Sequence, residues 1–149
     1  MNKYLAEVIV QSGIHNIAVC EENKRIFRLE NKHNYFIQKI RVDNGLIKSG
    51  IRCDYAIDVY KDAKPDTLSD MIYLIELKGS DKDHACEQII QTYNYFIKNF
   101  KTIFYHCRIV LSKDTAPKLL TTNQKKLKQL EKQKKLDILI KSQKIEEVL

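Results

Sequence analysis

The sequence predicts a mixed α/β domain: an antiparallel meander, then a strand-helix-strand crossover, then a C-terminal helix and a short strand. Three observations carry that prediction. Between His15 and Gly79, apolar runs of strand length alternate with polar turns. From Lys82 to about Phe100 the apolar residues recur every three or four positions, the period of a helix with one buried face. A further strand-like run, Phe104 to Leu111, follows that helix, which is the pattern of a parallel crossover.

The elements follow in order. In Met1 to Gln11, Tyr4, Leu5, Val8 and Ile9 fit a helical face, while Val8-Ile9-Val10 also suits a strand; Ser12-Gly13 ends the segment. His15 to Cys20 is a short strand, Glu21 to Lys24 a turn, Arg25 to Glu30 a strand and Asn31 to Asn34 a turn. Tyr35 to Val42 is the next strand, and Asp43-Asn44-Gly45 is a strong turn signal. Arg52 to Tyr60 and Met71 to Gly79 are strands. The loop Lys61 to Asp70, with Pro65, folds them back on each other as a hairpin. The first half thus reads as one meander ending in the Met71 strand.

Ser80 or Asp81 caps the helix, with Asp81 and Asp83 in its first turn. Ala85, Cys86, Ile89, Ile90, Tyr93, Phe96, Ile97 and Phe100 form its apolar face, and His84, Gln88 and Tyr95 fall at one edge. The Phe104 strand carries His106 and Arg108 on one side and reads as an amphipathic edge strand. Thr115-Ala116-Pro117 breaks the chain. Thr121 or Thr122 then caps a second helix, Asn123 to about Lys134, whose surface is mostly basic. Leu136 to Ile140 is a last short strand, and Ile145 to Leu149 an amphipathic tail able to pack on this domain or on a second subunit.

Length and composition bound the function. With 149 residues and 44% hydrophobic content, the chain is one domain with a real core. Its net charge is +7, and from Ser112 to Leu149 ten Lys stand against five acids, which places +5 in that last quarter. Such a balance suits a polyanionic partner, although a Lys-rich solvated surface has the same composition. Cys20, Cys53, Cys86 and Cys107 are isolated and lie in or beside apolar runs. They read as reduced core residues of a cytoplasmic protein, not as a zinc site. Neither a signal peptide nor a membrane-spanning stretch is expected.

Chemistry concentrates in Met71-Ile72-Tyr73-Leu74-Ile75-Glu76-Leu77-Lys78-Gly79. [Asp/Glu]-x-Lys occurs four times, at Glu22, Glu30, Asp62 and Glu76, but only Glu76-Leu77-Lys78 is embedded in an apolar run. A carboxylate and an ammonium there are costly to desolvate unless paired or put to use. Two residues apart on a strand, they share a face. The hairpin brings Asp54, near the start of one strand, beside Glu76 and Lys78, near the end of its partner.

Asp54, then Glu76-x-Lys78 on the next strand, then a helix, resembles the active-site signature of the PD-(D/E)XK nuclease superfamily. The resemblance covers roughly Ile51 to Leu111, with Cys53 where the family often has Pro. It implies a restriction-endonuclease-like fold and a DNA endonuclease dependent on Mg²⁺ or Mn²⁺, acting in restriction, phage defence or repair. It implies Asp54, Glu76 and the Leu77 carbonyl as metal ligands, with Lys78 orienting water or offsetting transition-state charge. In the exonuclease branch a Gln and a Tyr four residues on follow the Lys. Gln91 and Tyr95 have that spacing, but Gln88 is better placed on the helix border and is the catalytic candidate taken here. Asp43, Glu30, Asp58 and Glu7 are candidates for a further ligand; Asp58 shares the face of Asp54 but lies about 13 Å along the strand.

Two rival readings stand beside this one. A catalytically silent nuclease fold would serve as a nucleic-acid-binding or interaction subunit. An unrelated α/β binding protein would use Glu76 and Lys78 as an ordinary ion pair. With no separate recognition domain, the nuclease would be structure-selective or be directed by a targeting partner. Cutting two strands calls for two active sites, which a homodimer supplies.

Overall fold

The computed structural model describes residues 3–62, 64–66, 68–133 and 136–149. A 3-10 turn, Ala6–Val8, opens into β1 (Ile9–Gly13). Then come β2 (Ile17–Glu22), β3 (Arg25–Glu30), β4 (Phe36–Arg41), β5 (Tyr55–Tyr60) and β6 (Leu68–Lys78). The helix α1 (Lys82–Asn99) leads to β7 (Lys101–Leu111), and α2 (Thr122–Gln133) leads to β8 (Leu136–Ser142) and β9 (Lys144–Val148). Six strands form one mixed sheet in the order β1-β4-β5-β6-β7-β8, and three form a second in the order β2-β3-β9. In the larger sheet β1, β4, β5 and β6 pair antiparallel, and β6, β7 and β8 pair parallel.

The expected mixed α/β architecture with two helices is therefore present, but the meander is not a single sheet. The β2–β3 hairpin leaves the path between β1 and β4. Its apolar residues Ala18, Cys20, Phe27 and Leu29 alternate with exposed or half-buried ones, so one face needs a partner. That face packs on Ile57, Val59, Tyr73 and Ile75 of β5 and β6, with Ile145 of β9 in the same core. The opposite face of β5 and β6, with Ala56, Ile72 and Leu74, packs on Ala85, Cys86, Ile89 and Phe96 of α1 and Leu127 of α2. With both faces covered, the central strands lose the polar alternation of a half-exposed sheet, which is why the Met71 run reads as continuously apolar.

One further expectation changes, and two that the sequence left open are resolved. The C-terminal tail is β9, paired parallel to β3. The strand with His106 and Arg108 is not at an edge: β7 lies between β6 and β8, and Arg108 is buried. Its charge is balanced by Asp137 at 2.7 Å and by a fork onto Glu147 of β9, which ties the two sheets together. Of the first segment, the described part is a 3-10 turn followed by a strand, and Met1 and Asn2 lie outside the described residues. Lys134, the expected end of the second helix, lies outside them too.

Local chemistry sets the boundaries. The β2–β3 turn has Asn23 and Lys24 both left-handed (φ 49° and 66°), the conformation whose twist suits a two-residue hairpin. Asp81 caps α1, accepting from the His84 N–H at 3.0 Å. Asp83 caps α2 in turn: its carboxylate takes the Asn123 N–H at 2.7 Å and the Asn123 amide at 2.9 Å. No described helix is long and apolar enough to cross a membrane.

Candidate active site

Asp54 is the residue immediately before β5. Its N–H donates to the Ile75 carbonyl at 3.1 Å, and its carbonyl accepts from Val42 at 2.9 Å. The ladder pairs Tyr55 with Ile75, so one step back on β5 and one step on along β6 set Asp54 opposite Glu76. Directly opposed residues share a face. The Asp54 carboxylate also accepts the Leu77 N–H at 2.8 Å, which fixes it against the end of β6. The three predicted residues Asp54, Glu76 and Leu77 are thus brought together, and Lys78 follows on the Glu76 face, half-buried.

Burial dominates the electrostatics. Glu76 is 2% exposed, and its Oε1 has no hydrogen-bond partner. Desolvation first, then the charge of Asp54, pushes its carboxyl up to about 9, against a lowering contribution from Lys78. Asp54 is also raised, chiefly by burial, with the Leu77 N–H opposing the shift. Two desolvated carboxylates side by side repel; a shared proton or a cation relieves them. Among the described residues no three His, Cys, Asp or Glu side chains converge into a closed metal shell. Two carboxylates and a backbone carbonyl fit a cation such as Mg²⁺, which keeps several waters and needs only one or two carboxylates.

The helix supports this corner. Gln88 on α1 donates through Nε2 to the Arg52 carbonyl at 3.0 Å, and its own Oε1 is buried without a partner. One turn on, Thr92 Oγ1 accepts the Cys53 N–H at 2.8 Å and donates to the Gln88 carbonyl at 2.8 Å. The backbone just ahead of Asp54 is thereby held at two successive residues. Gln91 is exposed, and Tyr95 packs with Phe96 and Phe100. His84 lies 3.6 Å from Glu87 on the helix surface.

Two charged neighbours were not among the sequence candidates. A pocket of about 190 Å³ beside Asp54 is lined by Glu22, Arg41, Asp43 and Tyr55 as well. Arg41 was within reach of sequence reasoning, because a meander register that pairs β4 with β5 sets it opposite Tyr55. Glu22 was not, since it arrives from the second sheet; its charge raises both Asp54 and Glu76. Of the four suggested extra acids, only Asp43 lines this pocket, where it also pairs with Arg52 at 2.8 Å. Asp58 is fully buried further along β5, held by the Tyr4 hydroxyl at 2.6 Å, the Tyr60 hydroxyl at 3.0 Å and Lys3 at 2.8 Å. Glu7 lines a neighbouring pocket, and Glu30 sits at the end of β3 away from the Asn23-Lys24 turn. Compared with known proteins, the chain matches no family model, no curated protein and no solved structure.

Proposed function

We propose that this chain is a divalent-metal-dependent nuclease of restriction-endonuclease-like fold that hydrolyses phosphodiester bonds in DNA. The observation that carries the reading is Glu76: a carboxylate almost wholly buried, with one oxygen unpartnered, opposed to Asp54 across a strand pair and followed on its own face by Lys78. A fold that needed only a Glu76–Lys78 ion pair here would not set a second, half-buried carboxyl group, that of Asp54, against a buried Glu76.

Asp54, Glu76 and the Leu77 carbonyl would hold Mg²⁺ or Mn²⁺, which when bound supplies charge neutralisation at the phosphate and acidifies water. The residues do the rest. Asp54 is oriented by the Leu77 N–H and by the helix-held backbone at Arg52 and Cys53. Lys78 places a positive charge where negative charge develops on the reacting phosphate, or steers the attacking water by donating to it. Gln88 acts as a positioning residue through the Arg52 carbonyl, two residues from Asp54.

The test is cleavage of plasmid, single-stranded and branched DNA in Mg²⁺ or Mn²⁺ by the parent, Glu76→Gln and Lys78→Ala. Each substitution is expected to cost about 100-fold or more. Cleavage that survives both overturns the site. DNA binding with a steep salt dependence but no cleavage by the parent favours the silent, binding-subunit reading instead.

A further inference from the structure

The pocket beside Asp54 is one end of a longer groove. It shares Arg41 with a second pocket of about 220 Å³, which is lined by Glu7, Val8, Asn44, Gly45 and Lys48 too. That second pocket shares Glu7, Val8, Gly45 and Lys48 with a third, of about 310 Å³, which adds Lys3, Tyr4, Leu5 and Leu46. The groove therefore runs from the carboxylates, past Arg41, over the Asn44-Gly45 turn and Lys48, to a more apolar end beside Tyr4, Val8 and Leu46. Its character changes along its length: acidic at Asp54, then two exposed bases, then apolar.

We infer that this groove is a track for one nucleic-acid strand leading away from the Asp54–Glu76 corner. Arg41 and Lys48 take successive phosphates and the Leu46 end takes a base. The assignment rests on the nuclease reading for which bond is cut, but not for what is bound. In the middle stretch two exposed bases, Arg41 and Lys48 on either side of the Asn44-Gly45 turn in sequence, stand against the single acid Glu7, which favours a polyanion there; Glu22, Asp43 and Asp54 keep the near end acidic. The apolar end selects against a bare polyphosphate, which has nothing to bury there. The turn lies tight on the end of β4: a Cβ on Gly45 would meet the Arg41 carbonyl oxygen at 2.3 Å, so Gly45 lines the groove with backbone alone. Glu7 lines the track between Lys48 and the apolar end, where a carboxylate repels phosphate but can accept a base amino group. Cavities of about 190, 220 and 310 Å³ are far too small to enclose a duplex, so a single strand is the form that can enter them.

The experiment is fluorescence anisotropy on the full chain in EDTA, with a labelled single-stranded 12-mer and the matching duplex. It uses the parent, Arg41→Ala/Lys48→Ala, and Lys132→Ala on the exposed side of α2 as a control. The expected result is single strand bound more tightly than duplex. The double variant should bind about tenfold more weakly, with a salt slope lower by about 1.4, and the control should be unchanged. Unchanged binding by the double variant overturns the track. So does tighter binding of duplex, or inorganic polyphosphate competing as well as the oligonucleotide at equal charge. The two proposals fail separately. Binding through Arg41 and Lys48 without any cleavage sinks the nuclease and keeps the track. Glu76-dependent cleavage with binding indifferent to these two bases does the reverse.

Discussion

Glu76→Gln should make the metal-free protein more stable at alkaline pH, and the size of the gain follows from burial. The Glu76 carboxyl titrates near 9 in the folded chain and near 4.5 as a free side chain. Between those values the folded protein holds a proton that the unfolded chain has released. Stability must then fall as pH rises through that window, the opposite of the usual salt-bridged carboxylate. At full difference the fall is ~1.4 kcal/mol per pH unit, so from pH 5.5 to 8.5 Glu76 removes ~4 kcal/mol. That is a large share of a stability of roughly 5–15 kcal/mol for a domain. Gln has the shape of the protonated acid and can donate to Asp54 as that acid would. The variant should match the parent at pH 5.5 and exceed it by up to ~4 kcal/mol at pH 8.5. Urea denaturation followed by circular dichroism in EDTA measures both. Adding Mn²⁺ at about 100 times its dissociation constant should return ~2.7 kcal/mol to the parent at pH 8.5 and much less to Glu76→Gln. Parallel stability-against-pH curves for the two proteins would refute the claim that this carboxylate is desolvated beside another.

Three other outcomes test the surroundings. Thr92→Val removes the acceptor of the buried Cys53 N–H and should cost ~1–3 kcal/mol by urea titration. If the nuclease reading holds, it should also lower kcat more than it raises KM, because Asp54 loses its support. Lys3→Met leaves the fully buried Asp58 without its cation and should cost ~3 kcal/mol, with much of the loss recovered in Lys3→Met/Asp58→Asn. Gly45→Ala forces a Cβ onto the Arg41 carbonyl at 2.3 Å and should lower Tm by about 5 °C in differential scanning calorimetry, whereas Gly79→Ala, with open space around it, should not.

Local pattern was enough for the elements that report on themselves. Helical periodicity found α1, and the Asn23-Lys24 and Asn44-Gly45 turns bounded their strands. Opposition of Asp54 and Glu76 was legible because a hairpin fixes register: once β5 and β6 are antiparallel neighbours, residues equally far from the turn face each other. The same logic would have reached Arg41 one strand further on. It could not reach Glu22, whose hairpin is covalently close to β1 and β4 but pairs with β9, more than a hundred residues later.

What the linear chain determined by itself, then, is which segments between β2 and β8 are strands and helices, and that one acid-x-Lys triplet sits in apolar surroundings. These are properties of neighbours in sequence, written in periods of two and of three to four residues. Only the tertiary structure decided that the sheet is covered on both faces, that β7 is interior, and that Glu76 is buried deeply enough to hold a proton. Those outcomes depend on which distant surfaces exclude water from a given side chain. A carboxylate has the same letter in the sequence whether it meets solvent or a layer of Ile, Leu and Cys.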